Sequence, residues 1–510
     1  MNAVALLLII PLVAGFVSLG LRHSKLLHWI NLATMLLLNG AQAAVMSSVL
    51  REGSIQAFHN LILIDALSAF ILLIIAVIGL VSSLYTWSYF EHYRKHGDVT
   101  PARMSGYFFL FHMFMFTMIL ATVANSLGVL WVAIEATTLA TTFLINFFKR
   151  KTSLEAGWKY LILCSVGIAL ALFGTVLMYM SSVRALGGLE ATLNLTDLVR
   201  VAAQLDPHVV KLAFVFILVG YGTKIGLVPM HTWVPEAYSE APAPVVAMLA
   251  GVLETVAVYA VLRSKMVVDA AVSPGYAGNL LVAFGFLSFG VAAFFILVQR
   301  DYKRLFAYSS IEHMGIAVIG FGIGGVMGTY GALFHLLNHA VAKSLVFFAA
   351  GNVQIRFGTR EISGVRGLFK VQPLTAAALL TATLALTGMP PLSMFVSEFS
   401  VLVSLTTPVY ASDTIHIGRF MTIMVADDVR NLGLIVCFLG LAVVVFGGFL
   451  YRVVGMVWGD PPDRLSRGER WGLGQISLAI NMGALIILGI MMPEFLKRLL
   501  GVAMATIGAR

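Results

Sequence analysis

The stretch TKIGLVPMHTWVPEAYSEAPAP, residues 223–244, decides the fold. It follows an apolar run, carries Lys224, and breaks at Pro229. A second stretch, LTGMPPLSMFVSEFS (residues 386–400), repeats the pattern with Pro390, Pro391 and then Glu398. Proline removes a backbone donor and clashes with the preceding helical turn. In lipid such a break survives only where protein packs around it or where it lines a wet cavity. Two broken, charged helices in the two halves of one chain point to a membrane transporter built from inverted repeats.

The rest of the chain agrees. Of 510 residues, 59% are hydrophobic and only 11% charged, against about 25% charged in a soluble domain. Runs of about twenty apolar residues, each long enough to cross a ~30 Å hydrocarbon core as a helix, fall near 2–20, 27–49, 61–87, 106–123, 126–147, 158–181, 209–229, 241–263, 277–299, 304–325, 328–352, 374–407, 430–456 and 476–499. The expected fold is therefore an all-α membrane protein of about 14 transmembrane helices, with breaks in the seventh and twelfth. The first run lacks a basic leader and a small-residue cleavage site and reads as a helix that stays. The longest polar loop, 182–208, has room for one short surface element. The formal charge of +9 is spread over short loops and gives no nucleic-acid patch. Most of the basic residues, among them Arg94, Lys95, Lys149, Arg150, Lys151, Arg300, Lys303, Arg304, Arg356, Arg360, Arg366 and Lys370, fall in loops of one side. By the positive-inside rule that side is cytoplasmic, with both termini on the outer side of a bacterial or archaeal inner membrane.

Ionisable side chains in mid-span are the candidates for function, because each costs roughly 2.5–3.5 kcal/mol there. Glu135, Lys224, Glu254, His335, His339, Lys343 and Glu398 are so placed. His335, His339 and Lys343 recur every fourth residue and share one helix face. Such a stripe can relay protons, since imidazole both donates and accepts. Lys224 suits a switched carrier whose charge depends on a nearby carboxylate such as Glu135. Glu254 reads equally as a relay group or an interhelical hydrogen-bonding group. Asp65 lies near the interface, where capping is at least as good a reading, and His112 has no charged companion. The elbow RDYKRLFAYSS (300–310) reads equally as an anchor or a coupling element. Two cysteines, Cys164 and Cys437, support no disulfide framework or thiolate metal site. There is no P-loop, strand-borne dinucleotide fingerprint or HExxH, and GFGIGG (320–325) reads as helix packing or a turn. No catalytic residue, cofactor or metal is expected in this chain.

WVAIEATTLATTFLI (131–145), GTKIGLVPMHTWVPEAYSEAPAPVVAMLAG (222–251), RDYKRLFAYSSIEHMG (300–315) and FHLLNHAVAKSLVFFAAGNV (334–353) resemble the antiporter-like membrane subunits shared by respiratory complex I, Mrp-type sodium/proton antiporters and group 4 membrane-bound hydrogenases. Glu312-His313 is most similar to the component F type of hydrogenase-4 and formate hydrogenlyase. The resemblance implies N-terminal helices in 1–105, five-helix inverted repeats in 106–265 and 277–456, and a last helix in 476–510. It implies an ion pair of Glu135 with Lys224, a second-half relay of His335, His339 and Lys343, and Glu398 as the terminal residue. Where many members carry lysine, Thr255 stands here beside Glu254. The short tail after the last span fits a middle position or a hydrogenase-type assembly. The implied role is a proton-translocating subunit of a redox-driven complex, with other membrane subunits and a peripheral NiFe or complex I-like arm as partners. The alternatives are an Mrp-like subunit for sodium/proton exchange, a complex I subunit, a scaffold that translocates nothing and, lower in rank, energised bicarbonate or CO2 uptake.

Overall fold

A computed structural model of the chain describes residues 2–187, 192–406, 415–417, 421–423, 427–463, 465–469 and 471–508. Thirteen of the described helices are long and apolar enough to span a bilayer. The N-terminal bundle is α1 (Asn2–Gly20), α2 (Ser24–Glu52), α3 (Ala66–Lys95) and α4 (Pro101–Val123). α5 (Leu127–Ile145) and α6 (Lys151–Leu186) lead through the short surface helix α7 (Leu195–Arg200) to α8 (Pro207–Ile225). α7 occupies the loop in which one short element was expected. Beyond the Pro229 break lie α9 (Trp233–Glu240) and α10 (Ala243–Met248), which runs through a π turn at Leu249–Leu253 into α11 (Glu254–Ala271). α12 (Pro274–Val298), α13 (Tyr302–Ile323) and α14 (Gly325–Phe357) follow.

The structure keeps the expected break in the twelfth span and revises two boundaries. The expected span 374–407 is two short helices, α16 (Pro373–Leu386) and α17 (Ser393–Ser404), preceded by the single turn α15 (Leu368–Val371). The consecutive prolines Pro390 and Pro391 carry no N–H and cannot extend α16; residue 407 lies outside the described residues. After α18 (Asp427–Val457), the last span ends at Ile490 as α19 (Leu473–Ile490), and Pro493 starts a separate helix, α20 (Glu494–Thr506). The loop before α3 is a small antiparallel hairpin, β1 (Ile55–Ala57) with β2 (Ile62–Ile64); a second short pair, β3 (Ile415–Ile417) with β4 (Met421–Ile423), precedes α18. The all-α expectation otherwise holds.

Burial sorts the helices. The best apolar windows of Ala243–Ala271 and α14 are wholly buried, whereas those of α1, α18 and α19 are mostly on the surface. A helix covered on all sides needs no amphipathic stripe, so polar residues on these two central helices must find partners inside the protein. The GFGIGG run closes a helix crossing. A Cβ at Gly322 would lie 2.7 Å from the Gly278 carbonyl of α12, and Gly324 ends α13 with φ +70°.

Asp65 caps α3 by accepting from Ser68 N–H at 2.9 Å. It also takes a two-pronged contact from the buried Arg263 of α11, at 2.6 and 2.7 Å. Burial alone would raise the Asp65 carboxyl, but the Arg263 charge and its hydrogen bonds hold it below the usual carboxylate range. Capping is thus the role that Asp65 plays, and it ties the N-terminal bundle to a central helix. A lowered carboxylate stabilises above its unfolded pKa, and the contribution is lost as pH falls through its folded value. Asp65→Asn strands a buried guanidinium and is expected to destabilise by about 3–5 kcal/mol, most of it absent in strong acid. Thermal unfolding of the detergent-solubilised protein at neutral and acid pH measures this; an unchanged midpoint at neutral pH would refute it.

Candidate functional site

The site begins at the π turn. The N–H of Glu254 bonds to Leu249 O, five residues back, which leaves the Ala250 carbonyl without its usual helical donor. His339 of α14 fills the vacancy, with Nε2 3.2 Å from Ala250 O and 3.3 Å from Glu254 Oε2. A carbonyl only accepts, so Nε2 carries the proton and donates to both oxygens, while Nδ1 is the basic nitrogen of the neutral ring. A glycine eases the approach: a Cβ on Gly251 would sit 3.2 Å from Ala340 O, a tight contact. Tyr238 of α9 donates to Glu254 Oε1 at 2.5 Å, so both carboxyl oxygens are engaged from opposite sides.

From His339 the row continues through imidazoles. The His313 ring of α13 lies 5.6 Å from that of His339 and 5.2 Å from that of His335. His313 Nδ1 is 3.7 Å from Glu398 Oε1, and Nε2 is 3.9 Å from Glu312 Oε2. All of these side chains except Glu398 are buried. Tyr238, Glu254, His339, His313 and Glu398 therefore form a row of polar side chains drawn from five helices. Lys343, although on the same α14 face as the histidines, turns to α13 and donates to Phe306 O at 2.9 Å and Ser309 Oγ at 2.6 Å.

The first half is arranged differently from expectation. No ion pair within 4 Å joins Glu135 to Lys224 among the described residues. Lys224 Nζ donates to Tyr160 OH at 2.9 Å. Thr141 spends its hydroxyl proton on Thr137 O, so Tyr160 in turn donates to Thr141 Oγ1 at 2.7 Å. Glu135 accepts from Thr138 at 3.2 Å and Ser165 at 3.3 Å. The hydroxyls of α5 and α6 have taken the places that a bare ion pair would fill, because charges out of water need several hydrogen bonds each.

Between the two halves stands Trp233, edge-on to Tyr160 at 4.9 Å and to Tyr238 at 5.9 Å. Its only polar atom is an N–H, which is committed to Thr223 O at 2.7 Å. Buried Thr255 donates back to Gly251 O at 3.0 Å within its own helix, and Glu254 makes the contact with α14.

Pro229 follows a cis peptide bond, as does Pro391 after Pro390. The end of the first break is held from the second half of the chain. Buried Lys303 donates to Ser239 O and Ala241 O at 2.9 and 3.0 Å, and Arg360 donates to Ser239 O and Glu240. Within the elbow, Lys303 is thus a buried clasp and not a surface anchor. His112 sits buried in α4 away from the row, its ring nitrogens unpartnered.

Tyr160, Ser165, Tyr238 and Trp233 were not singled out in the sequence as site residues, and Glu312 and His313 only as a family marker. Tyr238 and Trp233 lie inside the deciding stretch, where a buried aromatic hydroxyl and indole beside a helix break could have signalled them.

The family described as NADH:quinone oxidoreductase/Mrp antiporter, TM, matches residues 124–424. The chain is 42% identical to a hydrogenase-4 component F homolog of Methylacidiphilum infernorum, over 67% of this chain and 72% of that protein. It is 34% identical to NADH-quinone oxidoreductase subunit N of Desulforudis audaxviator, over 66% and 65%. In fold it matches a chain of the membrane-bound sulfane sulfur reductase, an archaeal respiratory membrane complex, with a TM-score of 0.84 and 24% identity over 99% and 98% of the two chains.

The Tyr238–Glu254 contact has a spectroscopic consequence. A carboxyl band assigned by its disappearance in Glu254→Gln should shift in Tyr238→Phe, because the phenol proton is removed from Oε1. Infrared difference spectra that leave the band in place would refute the contact.

Proposed function

Because the chain belongs to the NADH:quinone oxidoreductase/Mrp antiporter membrane family, we propose that it is the proton-translocating subunit of a redox-driven membrane complex of the hydrogenase-4 or formate hydrogenlyase type. The observation that carries this is the Tyr238–Glu254–His339 contact. It joins two wholly buried helices through groups that exchange protons, at a position where an unused carboxylate would cost several kcal/mol. His339 can pass its Nε2 proton to Glu254 across 3.3 Å as its basic Nδ1 takes one up, and the next ring lies 5.6 Å away, a gap that one side-chain rotation or one water can close.

Lys224 is the donor group of the first half, presenting its charge to Tyr160 and, through small movements of α5, to Glu135. Trp233 closes the space between that half and Glu254, so transfer across it needs a water or a displacement of the short helix α9. Lys303 and Arg360 clasp the end of α9 and couple its position to α13. Redox-driven shifts in neighbouring chains can act on the lysine through this lever. The redox chemistry belongs to those chains: other membrane subunits and a peripheral NiFe or complex I-like arm.

The two broken segments belong to inverted five-helix repeats in 106–265 and 277–456. The basic loops face the cytoplasm of a bacterial or archaeal cell, and both termini lie on the outer side. Sodium is the weaker cargo, because a hard cation asks for a cage of oxygens and the carboxylates here are separated by imidazoles.

Glu254→Gln should lower proton translocation in proteoliposomes of the assembled complex by about two orders of magnitude, while subunit composition and the redox reaction in detergent persist. Translocation at the native rate would overturn the relay. Lys224→Ala should abolish translocation in the same assay. Exchange of sodium for choline at constant ionic strength should change nothing; a dependence on sodium would instead favour antiport.

A further inference from the structure

His313, His335 and Glu398 stand apart from the rest of the row. One ligand atom from each lies within 4.8 Å of the other two. Both nitrogens of His313, Nε2 of His335 and Oε1 of Glu398 are buried without a hydrogen-bond partner. Buried polar atoms without a partner that converge on one point suit a shared bound species.

The protonation of His335 is settled by its neighbour. Ser397 spends its hydroxyl proton on Met394 O at 2.8 Å, so the 3.1 Å contact to His335 Nδ1 has the ring donating. The neutral ring therefore presents a bare lone pair at Nε2. A histidine whose second nitrogen is anchored as a donor in this way has the arrangement of a metal-ligating imidazole. The three residues come from three elements, α13, α14 and α17, and Glu398 keeps a 15% exposed side chain that gives the cluster an edge for access.

We propose that His313, His335 and Glu398 bind a borderline divalent transition-metal cation, Zn²⁺ in the first instance, and that its occupancy closes the distal end of the row. Two imidazoles and a carboxylate form a donor set for zinc with a fourth position left for water; sodium, magnesium and calcium favour all-oxygen cages. Ligand atoms around tetrahedral zinc are about 3.3 Å apart, so side-chain rotations of at most about 1.5 Å assemble the site from the observed geometry. The closing effect rests on the relay reading above, whereas the binding itself does not. The sequence carries no contiguous metal motif because the ligands are brought together only by the packing of the three helices.

The test uses the purified intact complex. After equilibration with micromolar Zn²⁺ and removal of free metal, wild type should retain one more equivalent of zinc than Glu398→Gln or His313→Ala. Cobalt substitution should show visible bands of a four-coordinate site that both variants lose. Equal zinc content in wild type and both variants would overturn the site; Glu398→Gln guards against a fold defect, being nearly isosteric. Zinc should also slow proton translocation by the wild-type complex in proteoliposomes. Binding without slowing would overturn the closing effect alone, and a relay failure would show separately, as native translocation in Glu254→Gln.

Discussion

The structure depends on how closely Ala243–Ala271 can approach α14. Neither helix has a face to spare for lipid, so any partner for the polar groups they carry must come from within the protein. The π turn meets that constraint by advancing the backbone one residue. It presents Ala250 O sideways, aims Glu254 at α14, and leaves His339 with two acceptors for one N–H. Gly251 is the residue that lets the helices come near enough. An ordinary α-turn would return the Ala250 carbonyl to its own helix and remove an acceptor from His339.

Around this contact the charges are handled unequally. Lys224 and Lys343 are each tied to hydroxyls or carbonyls of neighbouring helices, and Lys303 is spent on the end of a broken helix. The imidazoles and Glu398 are left under-bonded. A group with few fixed partners can change them, which a conduit needs and a structural ion pair does not. Asp65 and the two terminal nitrogens of Arg263 are the opposite case: engaged with each other through both carboxyl oxygens and suited to holding the bundle together.

Much of this was legible in the residues. The apolar runs, the prolines at 229, 390 and 391, and the mid-span positions of Glu135, Lys224, Glu254, His335, His339, Lys343 and Glu398 follow from composition and spacing, because the cost of a charge in lipid is local to the residue that bears it. The detached α20 was harder to read, since hydropathy averages over a turn or two and passes across a proline. The pairing of Glu135 with Lys224 was anticipated as a contact and is not one. Side chains on α5 and α6 competed for the lysine, and their order along the chain does not reveal which wins.

What the sequence determined by itself is the solvent: a chain this apolar, with its charges in loops and in a few buried positions, can fold only as a bundle of membrane helices that conceals those few. Which of the concealed groups touch was decided by the tertiary structure alone. The bridge from Tyr238 through Glu254 to His339, the wedge at Trp233 and the meeting of His313, His335 and Glu398 all join residues far apart in the chain. Their contacts depend on helix phase and on a π turn, and a shift of one residue in either would aim the same side chains elsewhere.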